Sequence, residues 1–250
     1  MSGRLSIAGL GPGAEDLVTP AVSAALAAAD HIVGYRTYVE RVTPRPGARI
    51  HASDNRVELD RARHALALAA EGAEVVVVSS GDPGVFAMAS AVFEAVEAGP
   101  AAWTGVDIRV LPGVTAMLAA AARAGAPLGH DFCVINLSDN LKPAALIEAR
   151  LRLAVEADFA IALYNPRSKA RPEGFARALA VLREAAEGAR PVILARAVSR
   201  PDETIRVLPL AEVAPEMADM QTVVIVGSSQ TRVIPLGPRA AVYTPRSVGA

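Results

Sequence analysis

At 250 residues, 52% of them hydrophobic, the chain is long enough for one large or two small domains with a substantial core, and its composition excludes a disordered protein. The formal charge of −1, with the basic residues scattered, excludes a nucleic-acid footprint, which would gather them on one face. One cysteine, Cys133, and four histidines without metal-ligand spacing (His31, His51, His64, His130) exclude a disulfide framework and a zinc site.

The N-terminus, "MSGRLSIAGLG", has no apolar h-region, and no later stretch offers about 18 apolar residues in a row, so neither a signal peptide nor a membrane span is expected and a cytoplasmic location is. Apolar, β-rich runs then alternate with Ala/Leu-rich helical runs, the pattern of an α/β protein with a largely parallel sheet. Strands are predicted at 5–10, 31–35, 48–52, 74–80 and 107–112, with helices near 19–29, 56–71 and 85–98 between them. After "LPGVTA", a helix over 115–124 leads into a second series: "DFCVINLS", a helix over 143–156, "DFAIALYN", a helix over 172–187, and "PVILARAV". The runs "ETIRVLPL", "TVVIVGSS" and "AAVYTP" close the chain without long helices between them, which predicts antiparallel hairpins. The organisation expected is two α/β domains, 1–112 and 113–250, joined near 112–117.

Three strand-to-helix connections carry the candidate chemistry. In "GLGPGAEDLVTP" the order Gly9, Gly11, Gly13 fails the spacing of a dinucleotide fingerprint, and Pro12 removes an N–H that a phosphate nest would use. The loop is either a tight connection or a place where a non-phosphate ligand lies close to the backbone. In "VVVVSSGDPGVF", Asp82 and Pro83 have the form of a helix start, with Asp as N-cap, but two serines and two glycines around one carboxylate exceed what a cap needs and favour an acidic loop at a strand end, suited to ribose hydroxyls or a cationic centre. In "LPGVTAMLAAAARAG", Thr115 is either an N-cap or a hydroxyl facing a cleft at the domain junction.

These stretches, followed by "YNPRSKARP" and "DMQTVVIVGSSQTR", give five motifs in order over about residues 5–245. By them the chain resembles the tetrapyrrole methylase family of S-adenosylmethionine-dependent enzymes, and the last two resemble most the subgroup that methylates C-17 of the macrocycle. The resemblance implies a homodimer of two α/β domains. It also implies that S-adenosyl-L-methionine, released as S-adenosyl-L-homocysteine, lies in the cleft between the domains, with the tetrapyrrole in an adjacent trough of the N-terminal one. Carried over position by position, the family's cofactor contacts fall on Pro12, then on Ser80, Gly81, Asp82 and Val85, then on Thr115 and Ala116. In the second domain they fall on Tyr164, Asn165 and Ala197.

Family members that methylate uroporphyrinogen III carry an aspartate, a proposed base, where this chain has Tyr35, so that acid/base role does not carry over. For the proton movement of ring contraction the candidates are Tyr35 at the trough edge, a water or a substrate carboxylate. Arg36, Arg167, Lys169 and Arg232, in or beside loops at strand ends, are candidates for charge-assisted hydrogen bonds to substrate carboxylates. The stretches "KPAALIEARL" and "TPRSV" depart from the family pattern, which bears on substrate contacts near 139–146 and 244–248. Two classes of function fit: a methyltransferase, or a non-catalytic tetrapyrrole- or dinucleotide-binding protein on the same scaffold. Within the first class, metal-free and cobalt-containing substrates are poorly separated by sequence.

Overall fold

Four consecutive valines, Val75–Val78, show how the N-terminal half is built. They lie in β4 (Glu74–Ser79), a strand covered on both faces, so every position is apolar rather than every second one. Val75 and Val77 pack with Leu66 and Val92, while Val76 and Val78 pack with Val22 and Ile32 on the opposite face. Burial of each such side chain contributes roughly 1.5–3 kcal/mol relative to leaving it exposed.

The computed structural model describes residues 3–54, 57–237 and 239–247, and the chain divides into two units, Met1–Thr115 and Ala116–Ala250. The first unit holds β1 (Arg4–Gly9), α1 (Pro20–Ala28), β2 (His31–Tyr35), α2 (Arg36–Val39), β3 (Arg49–Ser53), α3 (Glu58–Ala70), β4, α4 (Met88–Glu97) and β5 (Asp107–Leu111). Its sheet has the order β3-β2-β4-β1-β5 and every pairing is parallel. Helix α1 starts as its sequence dictates: Thr19 is the N-cap, accepting from the Val22 N–H at 3.4 Å, and Pro20 supplies a pre-set first turn.

The second unit holds α5 (Ala116–Ala124), β6 (Gly125–Ala126), β7 (Phe132–Asn136), α6 (Ala144–Glu156), β8 (Ala160–Tyr164), α7 (Gly174–Ala185), β9 (Pro191–Arg196), β10 (Thr204–Pro209), β11 (Thr222–Val226), β12 (Arg232–Leu236) and β13 (Arg239–Tyr243). Its main sheet runs β10-β9-β11-β8-β7, and β12-β13-β6 form a small second sheet. Strands β7 and β8 are parallel, while β11 inserts antiparallel between β8 and β9. The core of the main sheet sits under α6 and α7, around Leu151, Phe175, Leu179 and Leu182.

The structure corrects the sequence reading at several points. Helix α4 starts at Met88 with Ala87 as its N-cap, so Asp82 caps nothing and residues 82–87 form a loop. The hairpins expected among the closing runs are not formed between them: β10 pairs antiparallel with β9, β11 pairs with β8 and β9 and not with β10, and β13 pairs with β12. The short α2, β6 and β12 were not expected. Cys133 is half-buried, and burial pushes its thiol pKa up, away from nucleophilic chemistry. Among the described residues no helix is long and apolar enough to cross a membrane, and no group of three or more His, Cys, Asp or Glu side chains is arranged to hold a metal ion.

Candidate active site

Strands β4, β1 and β5 are neighbours in a parallel sheet, so their C-terminal ends deliver the three glycine-rich loops side by side. The loops are fastened backbone to backbone. The Gly11 N–H donates to the Gly81 carbonyl at 3.2 Å, and the Gly81 N–H returns a bond to the Gly11 carbonyl at 2.9 Å. Asp82 joins the third loop: Oδ1 accepts from the Gly84 N–H at 2.8 Å and Oδ2 from the Gly113 N–H at 3.1 Å. Thr19 adds a bond from its hydroxyl to the Pro112 carbonyl at 3.3 Å.

Such contact leaves no room for side chains. A Cβ on Gly113 would lie 2.3 Å from the Gly81 carbonyl oxygen and 2.6 Å from that of Gly9, and one on Gly9 would lie 2.8 Å from the Gly113 Cα. Gly11 and Gly81 have φ of 66° and 64°, in the left-handed region that favours glycine. Gly9, Gly11, Gly81 and Gly113 are thus required by packing or by backbone conformation. The N–H groups of Gly11, Gly81, Gly84 and Gly113 are spent within the loops, and Pro12 has none, so these positions offer no donors to a phosphate nest.

Arg41 holds the first loop from below. Its Nη2 donates to the carbonyls of Leu10 at 3.0 Å and of Gly11 and Gly13 at 3.4 Å. Sequence reading missed this residue, because an arginine in "YVERV" carries no motif. Pro12 and Gly81 are buried, Ser80, Asp82 and Val85 half-buried, and Thr115 is buried immediately before α5. Phe86, half exposed, has φ of 53°, a left-handed conformation rare for an aromatic residue.

In the second unit, Tyr164 and Asn165 end β8, and Ala197 follows β9 at the same sheet edge, since Leu163 and Leu194 both pair with Val224 of β11. The Tyr164 hydroxyl accepts from the Met117 N–H at 2.9 Å, next to Ala116 in the first turn of α5. Asn165 has φ of 54° and donates from Nδ2 to Asn136 Oδ1 at 3.0 Å. Ala197 and Ser199 also have positive φ, at 50° and 65°. Arg171, which lies within the "YNPRSKARP" motif but has no role assigned from sequence, reaches the carbonyls of Leu137 and Asn165 at 3.5 and 3.4 Å.

Of the candidate substrate cations, Arg36 follows Tyr35 at the start of α2, with its side chain 60% exposed and 4.0 Å from Asp54. Tyr35 stacks edge-on against Tyr38, the ring centroids 5.2 Å apart. Arg167 and Lys169 lie on the loop after β8. Arg232 sits in β12, at the opposite end of the sheet from them, since β11 leads to it from the end where Val226 pairs with Ile161. The motif before it, "GSSQTR", is a built turn: the Ser228 N–H donates to Thr231 Oγ1 at 2.8 Å, Thr231 bonds to Thr244 at 2.8 Å, and Thr244 donates to the Pro127 carbonyl at 2.6 Å. Of the closing stretch 244–248, Val248 lies outside the described residues.

Comparison with known proteins decides the family. The family model of tetrapyrrole (corrin/porphyrin) methylases matches residues 4–214. The chain belongs to that family. It is 55% identical over 247 residues to a precorrin-3B C(17)-methyltransferase of Sinorhizobium sp., an alignment covering 98% of this chain and 97% of that one. Among solved tetrapyrrole methylases, the methyltransferase CobJ superposes with a TM-score of 0.93 at 64% identity, covering 98% of this chain and all of that one. A uroporphyrin-III C-methyl transferase from Thermus thermophilus, solved in complex with S-adenyl homocysteine, shares the fold: its TM-score is 0.65 at 22% identity, over 90% of this chain and 92% of that one.

Proposed function

We propose that this protein methylates precorrin-3B at C-17, using S-adenosyl-L-methionine, with contraction of the macrocycle to precorrin-4, a step of cobalamin biosynthesis. The observation that carries the reading is the 55% identity, spread over the full length of both chains, to a precorrin-3B C(17)-methyltransferase. The cofactor assignment is supported by family membership and by the relative solved with S-adenyl homocysteine. It is also supported by the loop cluster, which presents an acidic group and closely packed backbone but no phosphate nest.

The cofactor contacts in this reading are Pro12, Ser80, Gly81, Asp82, Val85, Thr115 and Ala116 from the first unit and the start of the second, with Tyr164, Asn165 and Ala197 from the second. The sulfonium of the bound cofactor supplies an activated methyl group. The chain's own work is then chiefly placement: the fastened loops hold one reactant against an electron-rich ring carbon with little reorganisation. Tyr35 is assigned to proton movement during ring contraction, and Arg36, Arg167 and Lys169 to the substrate's acetate and propionate groups, while Arg232, at the other end of its sheet from Arg167 and Lys169, is withdrawn from that set. We further assign a homodimer and a cytoplasmic location, to be checked by sedimentation and cell fractionation.

The test is an assay of the purified protein with labelled S-adenosylmethionine and precorrin-3B, analysed by mass and carbon NMR. One methyl group at C-17 of a contracted ring is the expected product. Methylation elsewhere, or at C-17 with the ring uncontracted, overturns the assignment. Turnover of cobalt-factor III alone moves it to the cobalt-containing substrate, and purified protein carrying bound NAD or FAD favours a dinucleotide-binding role.

A further inference from the structure

Arg61, in the first turn of α3, is 5% exposed and has no carboxylate within salt-bridge distance among the described residues. Its guanidinium is held by neutral acceptors only: Nε donates to Ser53 Oγ at 2.8 Å, Nη2 to the Asp54 carbonyl at 2.7 Å, and Nη1 to the Met88 sulfur at 3.3 Å. A thioether is a weak acceptor, so one arm of the fork is poorly satisfied. Arg190, buried to the same degree in the other unit, is instead paired with Glu187 at 2.8 Å and Asp158 at 3.5 Å. The carboxylate nearest in sequence to the Arg61 contacts, on Asp54, is 87% exposed and faces Arg36 at 4.0 Å. A buried cation without a counter-charge is costly. Burial accordingly lowers the Arg61 pKa from its usual value, with Glu58, Tyr38 and Tyr35 acting in the opposite sense.

The position of this cation gives it a use. Ser53 ends β3 and is the register partner of Tyr35, the last residue of β2, while Met88 opens α4 directly behind the Asp82 loop. Arg61 therefore sits where the ends of β2 and β3 meet the starts of α3 and α4, on the sheet edge that carries the three glycine-rich loops. Arg36, the residue after Tyr35, adds a second and exposed cation on the same edge.

We propose that Arg61 is the buried counter-charge for one carboxylate of the tetrapyrrole substrate, a binding residue that deepens the precorrin reading and rests on it. A carboxylate oxygen replaces the Met88 sulfur at Nη1, exchanging a weak acceptor for a charge-assisted bond. Such bonds contribute about 1.5–3 kcal/mol, or roughly ten- to hundredfold in affinity.

Arg61→Gln keeps an amide donor near the place of Nε, within reach of Ser53, but removes the charge and the outer nitrogens. Its KM for precorrin-3B is expected to rise by at least about tenfold, with S-adenosylhomocysteine affinity by calorimetry within about twofold of the parent. A purely structural Arg61 would lower the thermal midpoint and leave the precorrin KM in place, and that result overturns the proposal. If the variant does not fold, the parent decides the matter through a crystal structure with precorrin-4 bound. A substrate carboxylate within about 3.2 Å of the Arg61 guanidinium supports the assignment, and a guanidinium without one overturns it. A parent inert toward precorrin-3B would instead overturn the functional reading, leaving Arg61 to be judged from the complex with whichever tetrapyrrole the protein binds.

Discussion

Asp82 uses both carboxylate oxygens on backbone N–H groups of two different loop segments, Gly84 and Gly113, so its replacement is a test of loop architecture. Asparagine would serve nearly as well at a helix N-cap, but it has one acceptor oxygen where this position needs two. Asp82→Asn turns an NH2 group toward one of the two N–H donors. A loss of about 1–3 kcal/mol of stability is expected, together with weaker S-adenosylhomocysteine binding, measured by denaturation and calorimetry on the same sample. Reduced stability with unchanged affinity would confine Asp82 to the scaffold. Gly113→Ala should be at least as damaging, since its Cβ would meet two carbonyl oxygens of backbone that is itself fastened. Overpacking of this kind costs typically 1–3 kcal/mol and should appear as a lower denaturation midpoint with an unchanged slope. The sequence made Gly9, Gly11, Gly81 and Gly113 visible as a group, because glycine at a strand end is a strong local signal. It left Arg41 and Arg61 hidden among 25 basic residues, and it showed Arg171 within a motif without a role, because their roles depend on which carbonyls the fold carries to them.

Among the secondary elements, those with one dominant force were legible. The valine run of β4, the Thr19-Pro20 start of α1 and the strands β9 and β10 follow from burial, capping and β-rich composition, and they stand within a residue or two of their expected limits, although the pairing of β10 with β9 was not foreseen. Where two forces compete, the reading slips. Asp82-Pro83 has the form of a helix start, yet the bonds from Gly84 and Gly113 draw the carboxylate into the loops and delay α4 to Met88. Strand β12 contains Pro235, which cannot donate to a ladder, and is tolerated because the strand lies at the edge of its sheet. The packing of β2, β3 and α3 also brings three histidines, spread over 33 positions from His31 to His64, into a chain of hydrogen bonds. His31 Nδ1 lies 2.9 Å from His51 Nε2, and His51 Nδ1 lies 3.0 Å from His64 Nε2. Burial lowers the His51 pKa, with His64, His31 and Arg49 acting in the same direction. The unfolded chain therefore binds a proton at this residue more readily than the folded one. The stability it contributes is intact above the ordinary imidazole value of about 6.5 and is lost as pH falls through that value toward the lowered one. The thermal midpoint of the parent should fall below about pH 6.5, and His51→Gln should flatten that dependence. An equal slope in the variant would assign it to other groups.

For the molecule as a whole, a formal charge of −1 must be reconciled with a substrate that carries many carboxylates. No global field draws such an anion in, so the proposed reading assigns its recognition to cations placed at particular points: Arg36 in the open, Arg61 buried, and Arg167 and Lys169 on the loop after β8. Interactions of exposed charges are screened over a Debye length of about 8 Å at physiological ionic strength and about 3 Å at 1 M salt, while buried pairs are screened much less. The loops assigned to the cofactor in that reading are built differently, from closely packed backbone and hydrogen bonds between the loops, which salt affects little. The two binding events should therefore separate on a salt titration. Between low and near-molar salt the KM for precorrin-3B is expected to rise several-fold, while the dissociation constant for S-adenosylhomocysteine stays within about twofold. Single alanine variants at Arg36, Arg167 and Lys169 should each raise the precorrin KM and make it less sensitive to salt. Arg61→Gln should raise it while leaving most of the salt sensitivity in place, because the interaction it removes is shielded from the ions. A precorrin KM that does not respond to salt, in a parent that turns the substrate over, would show that the exposed cations take no part in binding.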